Sequence, residues 1–249
     1  MQRDAQLIFG FHAVNARLRH HPQSVVELLV HTGRRDPRLR DAIALAEARG
    51  VHVVPVDPQR LDGLVGDGRH QGIVARVEPV QLATSLEDIV AEQGARALLL
   101  LLDGVTDPHN LGACLRVADA LGAHAVVVPK DRSVGLTPAV AKVASGAAET
   151  VPLIPITNLA RTLDELKELG LRVLGADEAG SESLPEVELR GPLAWVLGGE
   201  ADGLRRLTRE RCDCLVRIPM LGRVESLNVS VAAALCLYET RRQRARNGP

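Results

Sequence analysis

The sequence predicts an α/β protein in two parts: a small amino-terminal α/β unit and a larger domain built on a parallel sheet. Three observations carry that prediction. Ala97 to Leu102 is an unbroken apolar run ended by Asp103-Gly104, the pattern of a strand covered on both faces. Beyond it, short apolar runs alternate with helix-length segments, as successive βα units require. Before it, the same alternation runs on a smaller scale and fades near Glu78.

In the first part, Val25 to His31 reads as a strand, Pro37 to Arg49 as a helix, and Val51 to Val56 and Gln71 to Val77 as further strands. Gly33 to Asp36 and Gly66 to Gly68 supply turn residues, while Pro22 and Pro37 stand where helices begin. Glu78-Pro79-Val80-Gln81 opens a segment of weak strand character that reaches Gly94, with room for a short helix. The expected division is residues 1–78 as the first domain, 79–94 as a linker and 95–249 as the larger domain. In that larger domain Asn110 is placed to cap a helix over Leu111 to Leu121, and Gly122 to end it. Strands are expected at Ala125 to Val128, Val151 to Ile154, Leu171 to Gly175, Ala194 to Leu197 and Leu215 to Ile218. Helices fall between them at Pro138 to Ala147, Leu159 to Leu169 and Gly203 to Arg211, and a long last helix runs from Leu227 to about Arg244.

Composition narrows the function classes. With 249 residues, 46% hydrophobic and 24% charged, the chain has the apolar content of a globular protein. It has no apolar run of membrane-spanning length and no secretory leader pattern after Met1, so a cytoplasmic protein with no membrane partner is expected. The four cysteines, Cys114, Cys212, Cys214 and Cys236, lack the spacing of a disulfide framework, and neither they nor the eight histidines match a ligand motif, so no metal is expected. A net charge of −1 leaves RNA binding to local basic surface: Arg34, Arg35, Arg38 and Arg40; Arg205, Arg206, Arg209 and Arg211; or Arg241, Arg242, Arg244 and Arg246. Such runs are equally the solvated faces of helices. Two Phe, one Tyr and one Trp leave little material for a base-stacking platform.

A parallel sheet places ligands beyond the carboxyl ends of its strands, yet neither G-x-G-x-x-G nor a P-loop is present. What is present is three loops rich in glycine, proline and polar residues, each after an apolar strand: Asp103 to Asn110, Gly198 to Gly203 and Pro219 to Asn228. Glycine allows close backbone approach to a ligand, and three such loops at one sheet edge point to a site. Residue by residue, other readings stand beside this one. Arg116, in an otherwise apolar helix, can pair with Asp119; Ser226 can cap the last helix; Asn228 can bond to nearby backbone; Glu200 can be a solvated turn carboxylate.

Taken together, Asp107 to Arg116 (DPHNLGACLR), Leu197 to Leu204 (LGGEADGL), Ile218-Pro219-Met220 and Ser226 to Ser230 (SLNVS) resemble, in order, the three motifs of the SpoU-type RNA ribose methyltransferases. His70 to Ala75 (HQGIVA) and Val128 to Ser133 (VPKDRS) are similar to the branch that methylates a guanosine ribose in the peptidyl-transferase loop of 23S ribosomal RNA. The resemblance implies a carboxy-terminal domain tied in a deep trefoil knot, a ribosomal-protein-type RNA-binding module ahead of it, a homodimer, and S-adenosylmethionine as cofactor. It implies Asn110, Arg116, Glu200, Ser226 and Asn228 as catalytic residues. It implies a cofactor pocket along Leu197, Gly198, Gly199, Ile218, Pro219, Met220 and Leu227. Ala201 departs from the family's usual glycine. Transfer RNA as substrate and a non-catalytic ribosome-assembly role remain the alternatives.

Overall fold

The computed structural model describes residues 6–66, 68–78, 85–199 and 203–245. Contacts divide the chain into Met1–Leu82 with Ser145–Thr150, and Ala83–Ala144 with Val151–Pro249.

The first unit holds β1 (Gln6–Phe9), α1 (Phe11–His20), β2 (Val25–His31), α2 (Pro37–Ala48), β3 (Val53–Val56), α3 (Pro58–Val65) and β4 (Ile73–Val77). Its sheet runs β1-β4-β2-β3, with β2 and β3 parallel and β4 antiparallel to both its neighbours. The period-2 alternation of strands sorts the core into two faces. Leu28, Val30, Ile73 and Ala75 pack with α1 and α2 through Phe11, Val14, Leu18, Leu39 and Ala42. Leu29 and Val74 point the other way, onto Leu61 of α3. The β2 strand and the start of α2 fall where the sequence places them; Asp36 caps α2 by accepting the Arg38 amide, with Pro37 at the first helical position. β1, α1 and α3 were not expected. In α1 the apolar stripe is only three residues long, Phe11, Val14 and Leu18 among His, Asn and Arg, and in α3 Gly63 interrupts a short amphipathic turn. Pro22 begins a single 3-10 turn, Pro22–Ser24, rather than a helix of full length.

The second unit contains α4 (Leu86–Gln93), β5 (Leu98–Asp103), α5 (Pro108–Leu121), β6 (Ala125–Pro129), α6 (Pro138–Ala144), β7 (Leu153–Ile156), α7 (Leu159–Glu168), β8 (Arg172–Ala176), β9 (Glu182–Ser183), β10 (Leu193–Gly198), α8 (Arg206–Arg211), β11 (Cys214–Arg217) and α9 (Val229–Ala245). Its seven strands are all parallel, in the order β7-β6-β5-β10-β8-β11-β9. Late in sequence but central in space, β10 lies between β5 and β8, in a register that sets Gly198 level with Asp103. Every residue of β5 is buried, which is why it reads as an unbroken apolar run. Leu99, Leu101, Ala194 and Val196 meet Leu159, Leu163 and Leu166 of α7 on one face, with Leu86, Ile89 and Val90 of α4 in the same cluster. Trp195 of β10 is fully buried, and its indole N–H donates to Thr240 Oγ1 of α9 at 3.0 Å.

One sequence expectation is corrected here, and one alternative reading falls. Asn110 does not cap α5: Asp107 does, accepting the His109 amide at 3.0 Å, with Pro108 preorganised at the first helical position, so Asn110 lies inside the first turn. That amide also holds the Asp107 carboxyl below the usual carboxylate range. Ser226 does not cap the last helix either. Asn228 does, its Oδ1 accepting the Ser230 amide at 2.9 Å.

Candidate active site

In this parallel sheet the βα turns and the carboxyl ends of the strands share one edge, and the loops singled out in the sequence converge there. The second and third of them wall a cleft of about 720 Å³, lined by Leu197, Gly198, Gly199, Gly203, Ile218, Met220, Ser226, Leu227 and Asn228 among others. Six of the seven expected cofactor-pocket residues therefore line one cavity; Pro219 lies between two of them in sequence. Asn110, buried on α5, accepts a hydrogen bond from Asn228 Nδ2 at 2.9 Å, which joins the first and third loops across 118 residues of sequence. Arg116 is two turns further along α5, exposed, and forms no ion pair among the described residues. Glu200, and the departing Ala201 beside it, lie outside the described residues.

The glycine loop has little freedom. Gly199 N donates to the Asp103 carbonyl at 2.9 Å, and Gly199 and Gly203 pair as an isolated antiparallel bridge. A Cβ on Gly198 would lie 2.0 Å from the Gly203 carbonyl carbon, and Gly203 itself has φ +60. Glycine is required because backbone meets backbone there.

Two buried carboxylates brace this loop, and neither was picked out from the sequence. The Asp103 side chain, fully buried at the end of β5, accepts from Arg205 N (3.2 Å), Arg205 Nε (2.6 Å) and Thr208 Oγ1 (2.7 Å). Asp177, just beyond β8, pairs with Arg209 Nη2 at 2.8 Å and accepts the Ala179 amide. Helix α8 thus straddles the end of β10 with an arginine reaching each flanking strand. The one available sequence signal was a carboxylate ending a wholly buried strand, where a charge is retained only with partners.

Among the described residues, Asp177, Glu178 and Glu225 line the cleft with a single cation, Arg209. The wall therefore favours a ligand carrying positive charge. Of the basic clusters, Arg205, Arg206, Arg209 and Arg211 all pair with carboxylates. Arg241 donates to the last carbonyls of α5, at Leu121 and Gly122, and Arg244 to Arg96, Ala97 and Gly191. These two arginines act as clasps between elements. Burial pushes the Cys212 thiol up to about 12 and Cys214 up to about 11, which makes both poor nucleophiles. No group of three His, Cys, Asp or Glu suited to a metal occurs among the described residues.

A model of the SpoU rRNA methylase family matches residues 97–238. The chain belongs to that family. A second model, for RNA 2'-O ribose methyltransferase substrate binding, matches residues 7–83. This SpoU family member is 56% identical over 241 residues to the 23S rRNA (guanosine-2'-O-)-methyltransferase RlmB of Ralstonia nicotianae, covering 97% of each chain. Against the same-named protein of Nitrosomonas europaea it is 56% identical, over 97% of this chain and 93% of the relative. Among solved structures it resembles the SpoU methyltransferase AviRb from Streptomyces viridochromogenes in complex with AdoMet, with a TM-score of 0.76 and 27% identity over 98% of this chain and 92% of that one. An RNA 2'-O ribose methyltransferase crystal structure aligns at TM-score 0.75 and 30% identity, over 97% and 90%.

Proposed function

We propose that this protein transfers a methyl group from S-adenosylmethionine to the ribose 2'-hydroxyl of a guanosine in 23S ribosomal RNA. The observation that carries the reading is a cleft walled by two of the three separated loops, to which the Asn110–Asn228 hydrogen bond ties the remaining one. Near-full-length identity of 56% to proteins named for that reaction supports the substrate.

The cleft fits the cofactor. Its volume lies in the range of small-molecule sites, its glycine edge exposes backbone to an adenosine, and its carboxylates suit a cationic sulfonium. Leu197 to Gly199, Ile218 to Met220 and Leu227 would hold it. The bound cofactor supplies a methyl carbon open to in-line displacement. The chain must then align the 2'-oxygen and manage charge. Asn110 orients the ribose, Glu200 and Asn228 organise the loops, and Ser226 contacts RNA or cofactor. A guanidinium stays protonated at neutral pH, so Arg116 acts as a clamp on phosphate and developing oxyanion rather than as the base.

Around this site we infer the division into residues 1–78, 79–94 and 95–249, the first a ribosomal-protein-type RNA-binding module. The match of the substrate-binding model to residues 7–83 supports that assignment. A deep trefoil knot in the second domain is supported by the family and by the placing of β10 between β5 and β8. The working form is a homodimer. Val231, Leu235 and Tyr238, spaced along one face of α9, leave 47%, 38% and 59% of their surfaces exposed, and Leu221 and Val224 add to the apolar surface a second copy would cover. The protein acts in the cytoplasm on ribosomal RNA; no described helix is long and apolar enough to cross a membrane.

The test is transfer of labelled methyl to 23S RNA, with the modified nucleotide mapped. Arg116→Ala should lower single-turnover methylation at saturating RNA by about 10²- to 10³-fold, the usual cost of one charge-stabilising donor. Near-normal turnover in that variant would remove Arg116 from the chemistry.

A further inference from the structure

A second cleft of about 520 Å³ lies at the same strand-end edge, lined by Pro129, Asp131 and Arg132 after β6, Thr157 to Ala160 at the start of α7, and Arg205 to Thr208 at the start of α8. We infer that this cleft is a nucleotide subsite for the RNA strand, in which Arg132 takes a backbone phosphate beside the methylated residue. The inference rests on the RNA-ribose reading of the first cleft.

Position is the first argument. The segment Gly203 to Arg209 forms the partition between the two cavities: Gly203, Leu204 and Arg209 line the first, Arg205 to Thr208 the second. One thickness of chain therefore separates them. That partition is anchored on Asp103 by Arg205 and Thr208, so the spacing between the cavities is set by a buried contact. The opposite wall is fastened as well. Ser133 Oγ donates to the Val105 carbonyl at 2.9 Å and Val134 N to the same oxygen at 3.2 Å, which ties the Arg132 loop to the β5–α5 loop that leads to Asn110.

Charge is the second argument. Arg205 is committed to Asp103 and is not available to a ligand. Arg206 pairs only with Glu210 on the surface, both side chains more than half exposed, a contact worth little and readily exchanged for a phosphate. Arg132 is exposed and forms no ion pair among the described residues, and its neighbour Lys130 is exposed too. A guanidinium matches phosphate bidentately, which gives Arg132 the geometry to fix strand register. Asp131, Thr157 and Asn158 add an acceptor carboxylate, a hydroxyl and an amide. A free inorganic anion has no use for the carboxylate. A nucleotide does, since its ribose hydroxyl or base amino group can donate to it. The cavity volume also accommodates a residue of that size. This assignment gives a role to Lys130-Asp131-Arg132-Ser133, which the cofactor cleft leaves unused.

The experiment uses the full chain with a 23S RNA transcript and S-adenosylhomocysteine. Arg132→Ala should raise KM for RNA about tenfold, leave the calorimetric Kd for S-adenosylhomocysteine at the wild-type value, and reduce the salt slope of RNA binding by about one, as loss of a phosphate contact requires. Arg132→Lys should restore part of the affinity because the charge is kept. Arg206→Glu should raise KM in the same direction. An unchanged KM and salt slope in Arg132→Ala overturns the subsite while wild-type methylation leaves the function intact. A cofactor Kd that worsens in step with KM overturns it too, by making Arg132 a strut of the first cleft. Failure of the wild-type protein to methylate any RNA defeats the underlying reading and the subsite with it.

Discussion

Asp103 and Asp177 stand at the ends of β5 and β8, the two strands that flank β10, and each is held by an arginine from α8. Their surroundings differ. Asp103 is sealed, with a side chain of zero exposure and with donors from two residues of the partition segment, one of them a backbone amide. Asp177 is almost as deeply buried, at 2%, and Arg209 is about as open as Arg205, at 41% against 38%, but both members of this pair line the 720 Å³ cleft. The same ion-pair chemistry thus serves two ends. At Asp103 it closes the glycine loop, because Gly199 N bonds to the carbonyl and Arg205 N to the carboxylate of one residue. At Asp177 it presents a charged pair to whatever fills the cleft.

The largest effect should come from Asp103→Ala, which leaves the Arg205 and Thr208 donors without their acceptor. Breaking a buried pair costs about 3–5 kcal/mol, and the part-exposed guanidinium places this one near the lower figure. Thermal unfolding should show a fall of roughly 6–12 °C, since each kcal/mol shifts a domain of this size by about 2–4 °C. A drop of under 2 °C would mean that the loop stands without its foot. Next comes Gly198→Ala, whose added methyl has nowhere to go but into the Gly203 backbone. Here S-adenosylhomocysteine affinity should fall by about tenfold or more, with a stability loss of about 1–3 kcal/mol from overpacking; full affinity would show that the loop relaxes freely. Asp177→Asn should divide the two ends of the comparison, weakening cofactor binding measurably while costing about 1–3 kcal/mol of stability, as for a buried charged acceptor removed from its donor. Equal damage from Asp103→Asn and Asp177→Asn, in both readouts, would erase the distinction. The smallest effect on function belongs to Thr208→Val, with methylation close to wild type, while the lost hydrogen bond to the buried carboxylate costs about 1.5–3 kcal/mol by chemical denaturation.

The sequence carried the strands of the second unit well because burial on both faces writes itself as apolar runs, as in Leu98 to Leu102 and Ala125 to Val128. Short helices such as α1, whose stripe is Phe11, Val14 and Leu18 alone, left too little periodicity to recognise. Asn110 was misplaced as a cap although Asp107-Pro108 is the stronger start signal, an acceptor followed by the one residue that loses nothing at the first helical position. Within the site, the loops were legible from glycine and proline punctuation, whereas the braces were not. Asp103 meets Thr208 across 105 residues, and no local pattern records a partnership of that span. The order of strands in the sheet is equally invisible to periodicity, which reports faces and not neighbours.

That order governs how the protein can be made. As the chain leaves the ribosome, β5 is available long before Leu193 begins the strand that must come to rest between it and β8, and β8, complete at Ala176, precedes that strand as well. Were the two early strands to zip together, the late one would have to force its way in or remain at an edge. Productive assembly therefore depends on that seam staying open until β10, at the start of the last quarter of the chain, has been synthesised. Such distant pairings are slow to form and expose apolar edges while they wait. Refolding from denaturant should accordingly be slow, lose yield as concentration rises, and benefit from a chaperone that shields the unfilled seam.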